Sequence, residues 1–360
     1  MQIYQILRTF FAFLLKKKLT FFIFLCICGG ILFLLRGSKF FSLVTSTTQD
    51  IVSNNKIGTS PTPYPNQDVT IPALRERKYV SKLNERSVYS EKSTYNSYLT
   101  SYDSDGLTIN GLLAIPNGDV PKKGWPAIVF VHGYIPPTLY KTTEKYGDYI
   151  DYLARNGFVV FKIDLRGHSD SEGTPSGAYF SADYIIDTLN AYAALQQADF
   201  VNPNAVGLWG HSMAGNVLLR AFTVKPEIPA VVIWAGAVYS YTDREKYGIS
   251  DNSYRPPADI TRRAGGRLRL GEVDKTSIFW QEFVPTNYLS DLKGAIQLDH
   301  AVNDDVVNIG YSRDLSALLD ETNVTHEFNE YPSGGHNISG AYFVAAMENT
   351  VAFYQKYLGK

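Results

Sequence analysis

Val206-Gly207-Leu208-Trp209-Gly210-His211-Ser212-Met213-Ala214-Gly215-Asn216 is the stretch on which the fold turns. Val206 to Trp209 form an apolar run of strand length, and Val217, Leu218, Leu219, Ala221 and Phe222 then follow at helical spacing. Between strand and helix, Ser212 stands among small residues: Gly210 two before it, Ala214 two after it, and Gly215 next. Strand, sharp turn and helix with a hydroxyl at the apex is how a nucleophile elbow is built. The usual pattern has glycine where this chain has Ala214, so the stretch alone is a weak match. A working site also needs a base, a carboxylate and an oxyanion pocket, each from another part of the chain.

Outward from the elbow, strands and helices alternate. Upstream, Ser97–Tyr102 and Leu107–Pro116 read as two strands around the turn Asp103-Ser104-Asp105-Gly106. Strands at Trp125–Val131 and Phe158–Asp164 alternate with helices at Lys145–Asn156 and Ala182–Gln197. Downstream come strands at Ala230–Ala235, Ala295–Leu298 and His326–Tyr331, with helices at Ser312–Glu321 and Ala341–Leu358. Short β-rich runs between amphipathic helices predict a mostly parallel sheet covered on both faces. One segment, Tyr239 to Asn287, is far longer than an ordinary connection and carries Arg262, Arg263 and Arg267. It is expected to form a lid over the site.

The 360 residues carry a formal net charge of -1, which gives no reason to expect nucleic acid as a partner. The 2 cysteines, Cys26 and Cys28, both lie in an N-terminal apolar run, so the rest of the chain has neither a disulfide nor a cysteine metal site. That run, Leu19 to Leu35, is uncharged, follows Arg8 and Lys16-Lys17-Lys18, and precedes Arg36 and Lys39. Its length suits a single membrane span, and the basic excess before it predicts a cytoplasmic N-terminus with the remainder outside. A cleaved signal peptide is the rival, although Leu35-Arg36-Gly37-Ser38-Lys39 lacks a small-residue cleavage site. The organisation expected is an anchor over 1–44, a flexible linker over 45–86 containing Ser60-Pro61-Thr62-Pro63-Tyr64-Pro65, and a catalytic domain over 87–360.

A serine hydroxyl needs an imidazole to take its proton, and the imidazole needs a carboxylate to orient it. In this architecture the order along the chain is nucleophile, acid, histidine. Two histidines, His326 and His336, follow the acid candidates; His326 lies within a strand, whereas His336 sits in the loop Ser333-Gly334-Gly335-His336-Asn337 after the last strand. His336 is therefore the expected base. His211, beside Ser212, is expected to project away from the hydroxyl. Asp304 and Asp305 both follow the strand that begins at Ala295; Asp304 fits best, with Asp305 as the fallback. Oxyanion donors are expected from the backbone N–H groups of Tyr134, after His132-Gly133, and of Met213. Arg166 and His168 either brace their loop or bind a substrate carboxylate. No phosphate loop or zinc-like histidine spacing is present, and neither a cofactor nor a metal is expected.

Taken together, Gly111-Leu112-Leu113-Ala114-Ile115-Pro116, His132-Gly133-Tyr134, Asp164-Leu165-Arg166-Gly167-His168-Ser169, Gly210-His211-Ser212-Met213-Ala214-Gly215, Asp304 and Gly335-His336 resemble α/β-hydrolases of the prolyl-oligopeptidase catalytic-domain type. They are also similar to dienelactone-hydrolase-like proteins. The resemblance runs from about Thr94 onward and departs from the family at Ala214 and Ala301. It implies Ser212 as nucleophile, Asp304 as acid and His336 as base, in an α/β-hydrolase fold. It further implies a serine-type peptidase acting on a peptide or small acyl substrate, with carboxylesterase as the alternative. Between the anchor and Thr94 there is no room for the β-propeller of a full prolyl oligopeptidase. An inactive scaffold on the same fold is the rival from another class. Oligomeric state is left open.

Overall fold

The computed structural model describes residues 67–249 and 273–359. Its elements are α1 (Ile71–Arg75), β1 (Ser87–Glu91), β2 (Tyr95–Ser104), β3 (Leu107–Pro116), β4 (Trp125–Val131), α2 (Gly147–Arg155), β5 (Val159–Ile163) and α3 (Asp183–Gln196). They continue with β6 (Val201–His211), α4 (Ala214–Val224), β7 (Ala230–Trp234), α5 (Asp243–Tyr247) and α6 (Ile278–Phe283). The last are β8 (Ala295–Ala301), α7 (Gly310–Asp320), β9 (His326–Tyr331) and α8 (Phe343–Tyr357). The described strands form one sheet in the order β1-β2-β3-β5-β4-β6-β7-β8-β9. The first three are antiparallel, β3 meets β5 antiparallel, and every pairing from β5 to β9 is parallel.

The parallel strands are apolar because each is covered on both faces. Alternate residues of β4 feed opposite layers: Val129 and Val131 join Leu189 of α3 and Leu218 of α4, whereas Ile128 and Phe130 join Leu153 of α2 and Tyr354 of α8. The strands set side by side in this way bring the ends of β4, β6, β8 and β9 to one edge of the sheet. Four loops leave from that edge, and each carries a predicted site residue.

Two expectations are corrected, and one strand, β1, is added. The stretch read as linker up to residue 86 joins the folded unit from Gln67 onward: Ile71 and Leu74 of α1 are fully buried, and the Arg75 guanidinium donates to the Thr223 carbonyl at 2.9 and 2.7 Å. Pro72 in the first turn starts this helix, which is too short to show a period in sequence. β1 carries no apolar alternation because it is an edge strand with its residues mostly exposed. β8 runs to Ala301, beyond Leu298, because its polar residues Asp299 and His300 are buried and hydrogen-bonded. The long insertion 239–287 is described at its two ends, where α5 and α6 lie, and its middle falls outside the described residues. Among the described residues no helix is long and apolar enough to cross a membrane, and the apolar run 19–35 lies outside them.

Candidate active site

β6 delivers the chain to Ser212 and α4 carries it away. Ser212 has φ +58°, a left-handed conformation that costs a non-glycine residue energy and recurs at functional turns. The turn is held by Ser212 N–H donating to the Trp234 carbonyl and Gly215 N–H donating to the Ser212 carbonyl, both at 2.9 Å. A Cβ on Gly215 would come within 2.6 Å of the Gly236 Cα, and one on Gly210 within 2.9 Å of the Ala214 Cβ. The glycines this elbow requires are therefore Gly210 and Gly215. Ala214 is fully buried, and its methyl occupies space that Gly210 leaves open. Its departure from the usual pattern is thus accommodated locally.

His336 sits on a single turn of 3-10 helix, Gly335–Asn337, just past β9. Gly334 before it has φ +124°, which lets the loop double back toward the elbow. His336 Nε2 lies 2.8 Å from Ser212 Oγ, and His336 Nδ1 lies 2.8 Å from Asp304 Oδ2. The other carboxylate oxygen, Oδ1, accepts the backbone N–H groups of Val306 and Val307, both at 2.9 Å. Burial alone would raise the Asp304 carboxyl, but hydrogen bonds from His300 and His336, the His336 charge and the Val307 amide outweigh it. The group is held well below the usual carboxylate range. Asp305, next along the chain, is exposed and takes no part in this hydrogen-bond chain.

Two further histidines belong to the arrangement. His300, four residues before Asp304 at the end of β8, is fully buried. Its Nε2 lies 3.1 Å from Asp304 Oδ2 and 2.9 Å from the Val307 carbonyl, and its Nδ1 lies 2.8 Å from Ser312 Oγ. Two acceptors at Nε2 put the imidazole proton there, so the Ser312 hydroxyl donates to Nδ1. The Asp304 carboxylate thus takes four N–H donors, two per oxygen. The available signal was a histidine at the end of a strand, four residues before the acid candidate. His211 lies behind the elbow, with its ring centroid 4.5 Å from that of His336 and its Nε2 2.8 Å from the His336 carbonyl. Burial and the neighbouring His336 lower its imidazole to about 3, so it is neutral. The remaining downstream histidine, His326, is occupied on β9 by the Val324 carbonyl and Asp320.

Met213 directly follows the nucleophile candidate at the start of α4, and Tyr134 follows Gly133 in the loop after β4, the strand beside β6. The two predicted oxyanion donors therefore come from adjacent strand ends. The Gly133 N–H is engaged by the Tyr146 hydroxyl at 2.9 Å. Arg166 binds Asp187 at 2.7 Å and Asp183 at 3.1 Å, and His168 is buried beside the rings of His132 and Tyr184. Both side chains brace their loop. Among the described residues no group of His, Cys, Asp and Glu is arranged to hold a metal ion.

Comparison with known proteins matches residues 125–262 to the family described as serine aminopeptidase, S33. A thiohydrolase from Aspergillus aculeatus is 29% identical over 148 residues, which is 39% of this chain and 40% of that protein. The match therefore spans less than half the relative's own length. Among solved structures, acetyl xylan esterase 1 from a Thermoanaerobacterium species superposes with a TM-score of 0.57 at 18% identity. It covers 79% of this chain and 91% of the esterase. The acylaminoacyl peptidase of Pyrococcus horikoshii gives a TM-score of 0.59 at 19% identity, covering 74% of this chain and 42% of the peptidase.

Proposed function

We propose that this α/β-hydrolase is a serine hydrolase, of the serine-peptidase type, that cleaves peptide or other acyl bonds through an acyl-enzyme. One observation carries the proposal. The hydroxyl of Ser212, strained at an elbow, lies 2.8 Å from His336 Nε2, and a fully buried Asp304 side chain binds the other ring nitrogen, Nδ1, at 2.8 Å.

In this reading His336 takes the Ser212 proton as Oγ attacks the acyl carbonyl, and the imidazolium that forms is stabilised by Asp304. The N–H groups of Met213 and Tyr134 receive the negative charge on the carbonyl oxygen. His336 then protonates the leaving group, and water releases the acyl group by the same steps. The triad itself calls on no cofactor.

The likeness to a thiohydrolase supports a second reading, in which esters or thioesters of small acyl groups are cleaved. We further propose that residues 19–35 anchor the chain in a membrane with the catalytic domain outside the cytoplasm, a reading supported by Lys16-Lys17-Lys18 before the apolar run. A fluorophosphonate probe tests the chemistry: the wild type is expected to be labelled and Ser212→Ala not. Equal labelling of the two would sink the nucleophile assignment. A panel of p-nitrophenyl esters and peptide amides then separates the readings, and turnover of esters alone would remove the peptidase reading.

A further inference from the structure

Tyr146 belongs to none of the motifs that mark the site, yet it touches two of the loops that build it. Its hydroxyl accepts the Gly133 N–H at 2.9 Å and lies 2.9 Å from His211 Nδ1. Direction follows from the donors available. An N–H can only donate, so the Tyr146 oxygen accepts from Gly133 and spends its own proton on His211 Nδ1. The proton of the neutral His211 ring is then on Nε2, which donates to the His336 carbonyl at 2.8 Å. A single directed chain therefore runs from the oxyanion loop, through the residue preceding the nucleophile, to the backbone of the base.

Two observations show that the fold is built around this contact. Tyr146 and its neighbour Lys145 both have φ +59°, in the left-handed region that neither side chain favours. Such strain persists only where the surroundings impose it; here the ring is held edge-on against Phe130 at 5.3 Å and Tyr149 at 5.5 Å. A Cβ on Gly133 would come within 2.8 Å of the Tyr146 oxygen and 3.0 Å of His211 Nδ1. The glycine of the oxyanion loop is thus required by the approach of these two side chains.

We propose that Tyr146, acting through His211, is a positioning residue that couples the oxyanion loop to the loop of the base. It engages the Gly133 amide, one residue before the Tyr134 N–H, and so holds the start of the oxyanion loop against the elbow. This inference rests on the reading of Ser212 as nucleophile. Its consequence is selective: losing the hydroxyl weakens binding of the tetrahedral species and leaves ground-state binding alone.

The test uses the full chain in detergent, with p-nitrophenyl acetate as substrate and phenylboronic acid as the tetrahedral mimic. Ser212 Oγ adds to boron and its proton passes to His336. The boron becomes four-coordinate and negative, with a hydroxyl where the oxyanion would lie. Tyr146→Phe is expected to lower kcat about tenfold, less than the loss of a whole oxyanion donor, with KM within about twofold. Its affinity for the boronic acid is expected to fall by the same factor as kcat. His211→Gln keeps a donor for the His336 carbonyl and removes the acceptor for Tyr146, and is expected to show the same pattern. The double variant is expected to be no worse than the poorer single variant. Unchanged kcat, unchanged boronic acid affinity, or additive losses would each overturn the coupling. Should Tyr146→Phe fail to fold, His211→Gln decides by the same ratio. Fluorophosphonate labelling of the wild type separates the two levels: its absence overturns the nucleophile assignment, whereas normal labelling with unmoved boronic acid affinity in the variants overturns only the coupling.

Discussion

Asp304 and Asp305 are adjacent carboxylates in very different surroundings. Sequence alone preferred Asp304 while keeping both open, because both follow the strand whose end carries the acid. Their environments separate them: Asp304 binds His336 Nδ1 at 2.8 Å and takes two amides on its other oxygen, while Asp305 faces solvent. Asp304→Asn is expected to lower kcat by on the order of 10⁴-fold, because an amide no longer orients the imidazole or stabilises its charge. Asp305→Asn is expected to stay within about twofold of wild type, as exposed substitutions away from a site generally do. Steady-state kinetics on one p-nitrophenyl ester decides, and the reverse ranking would move the acid to Asp305. Because its donors keep Asp304 well below the ordinary carboxylate range, it stays ionised through mildly acid pH.

At the scale of elements, the parallel strands were legible and the polar additions to them were not. β4, β5 and β7 are apolar runs that announce themselves, and the elbow between β6 and α4 has a spacing that few other structures need. The end of β8 and α1 were missed for one reason: their signals depend on partners distant in sequence. Leu74 belongs to a short helix after a Pro- and Thr-rich stretch, yet it is fully buried in the layer that holds Leu218. Leu74→Ala is accordingly expected to destabilise the protein by about 3 kcal/mol in urea unfolding, as buried leucines do, where a linker residue would cost nothing measurable. Asp299, inside β8, is fully buried and accepts from the Tyr331 hydroxyl at 2.7 Å and Asn329 at 3.1 Å. Burial, opposed by those hydrogen bonds, raises its carboxyl to about 7. The unfolded chain releases that proton near pH 4 while the folded protein keeps it to about 7, so the stability it contributes is full below about pH 4 and lost as pH rises to 7. Asp299→Asn removes this titration. Relative to wild type, its unfolding free energy is expected to improve by on the order of 2 kcal/mol between pH 5 and pH 8. Parallel pH profiles for the two proteins would show that Asp299 does not titrate in this window.

At the scale of the whole molecule, the entry of the N-terminal segment matters more than its composition indicates. Arg75 is clasped to the carbonyl of Thr223, at the end of α4 opposite Ser212, and Arg220 of the same helix donates to the Val69 carbonyl. An 11-residue helix is about 16 Å long, so this attachment is separated from the nucleophile by the length of α4. A chain arriving from an anchor over residues 19–35 would thus be fastened at the far end of α4 from Ser212, away from the sheet edge where the site opens. Full-length protein is accordingly expected to stay in the membrane fraction through alkaline carbonate and to leave it only with detergent. A variant lacking residues 1–44 retains the clasp at Val69 and Arg75, and is expected to be soluble and still labelled by a fluorophosphonate probe. Added protease is expected to reach the catalytic domain on intact cells. Release of the full-length protein by carbonate would overturn the anchor, and complete protection from protease in its presence would reverse the orientation, because the basic residues before the span would then lie outside.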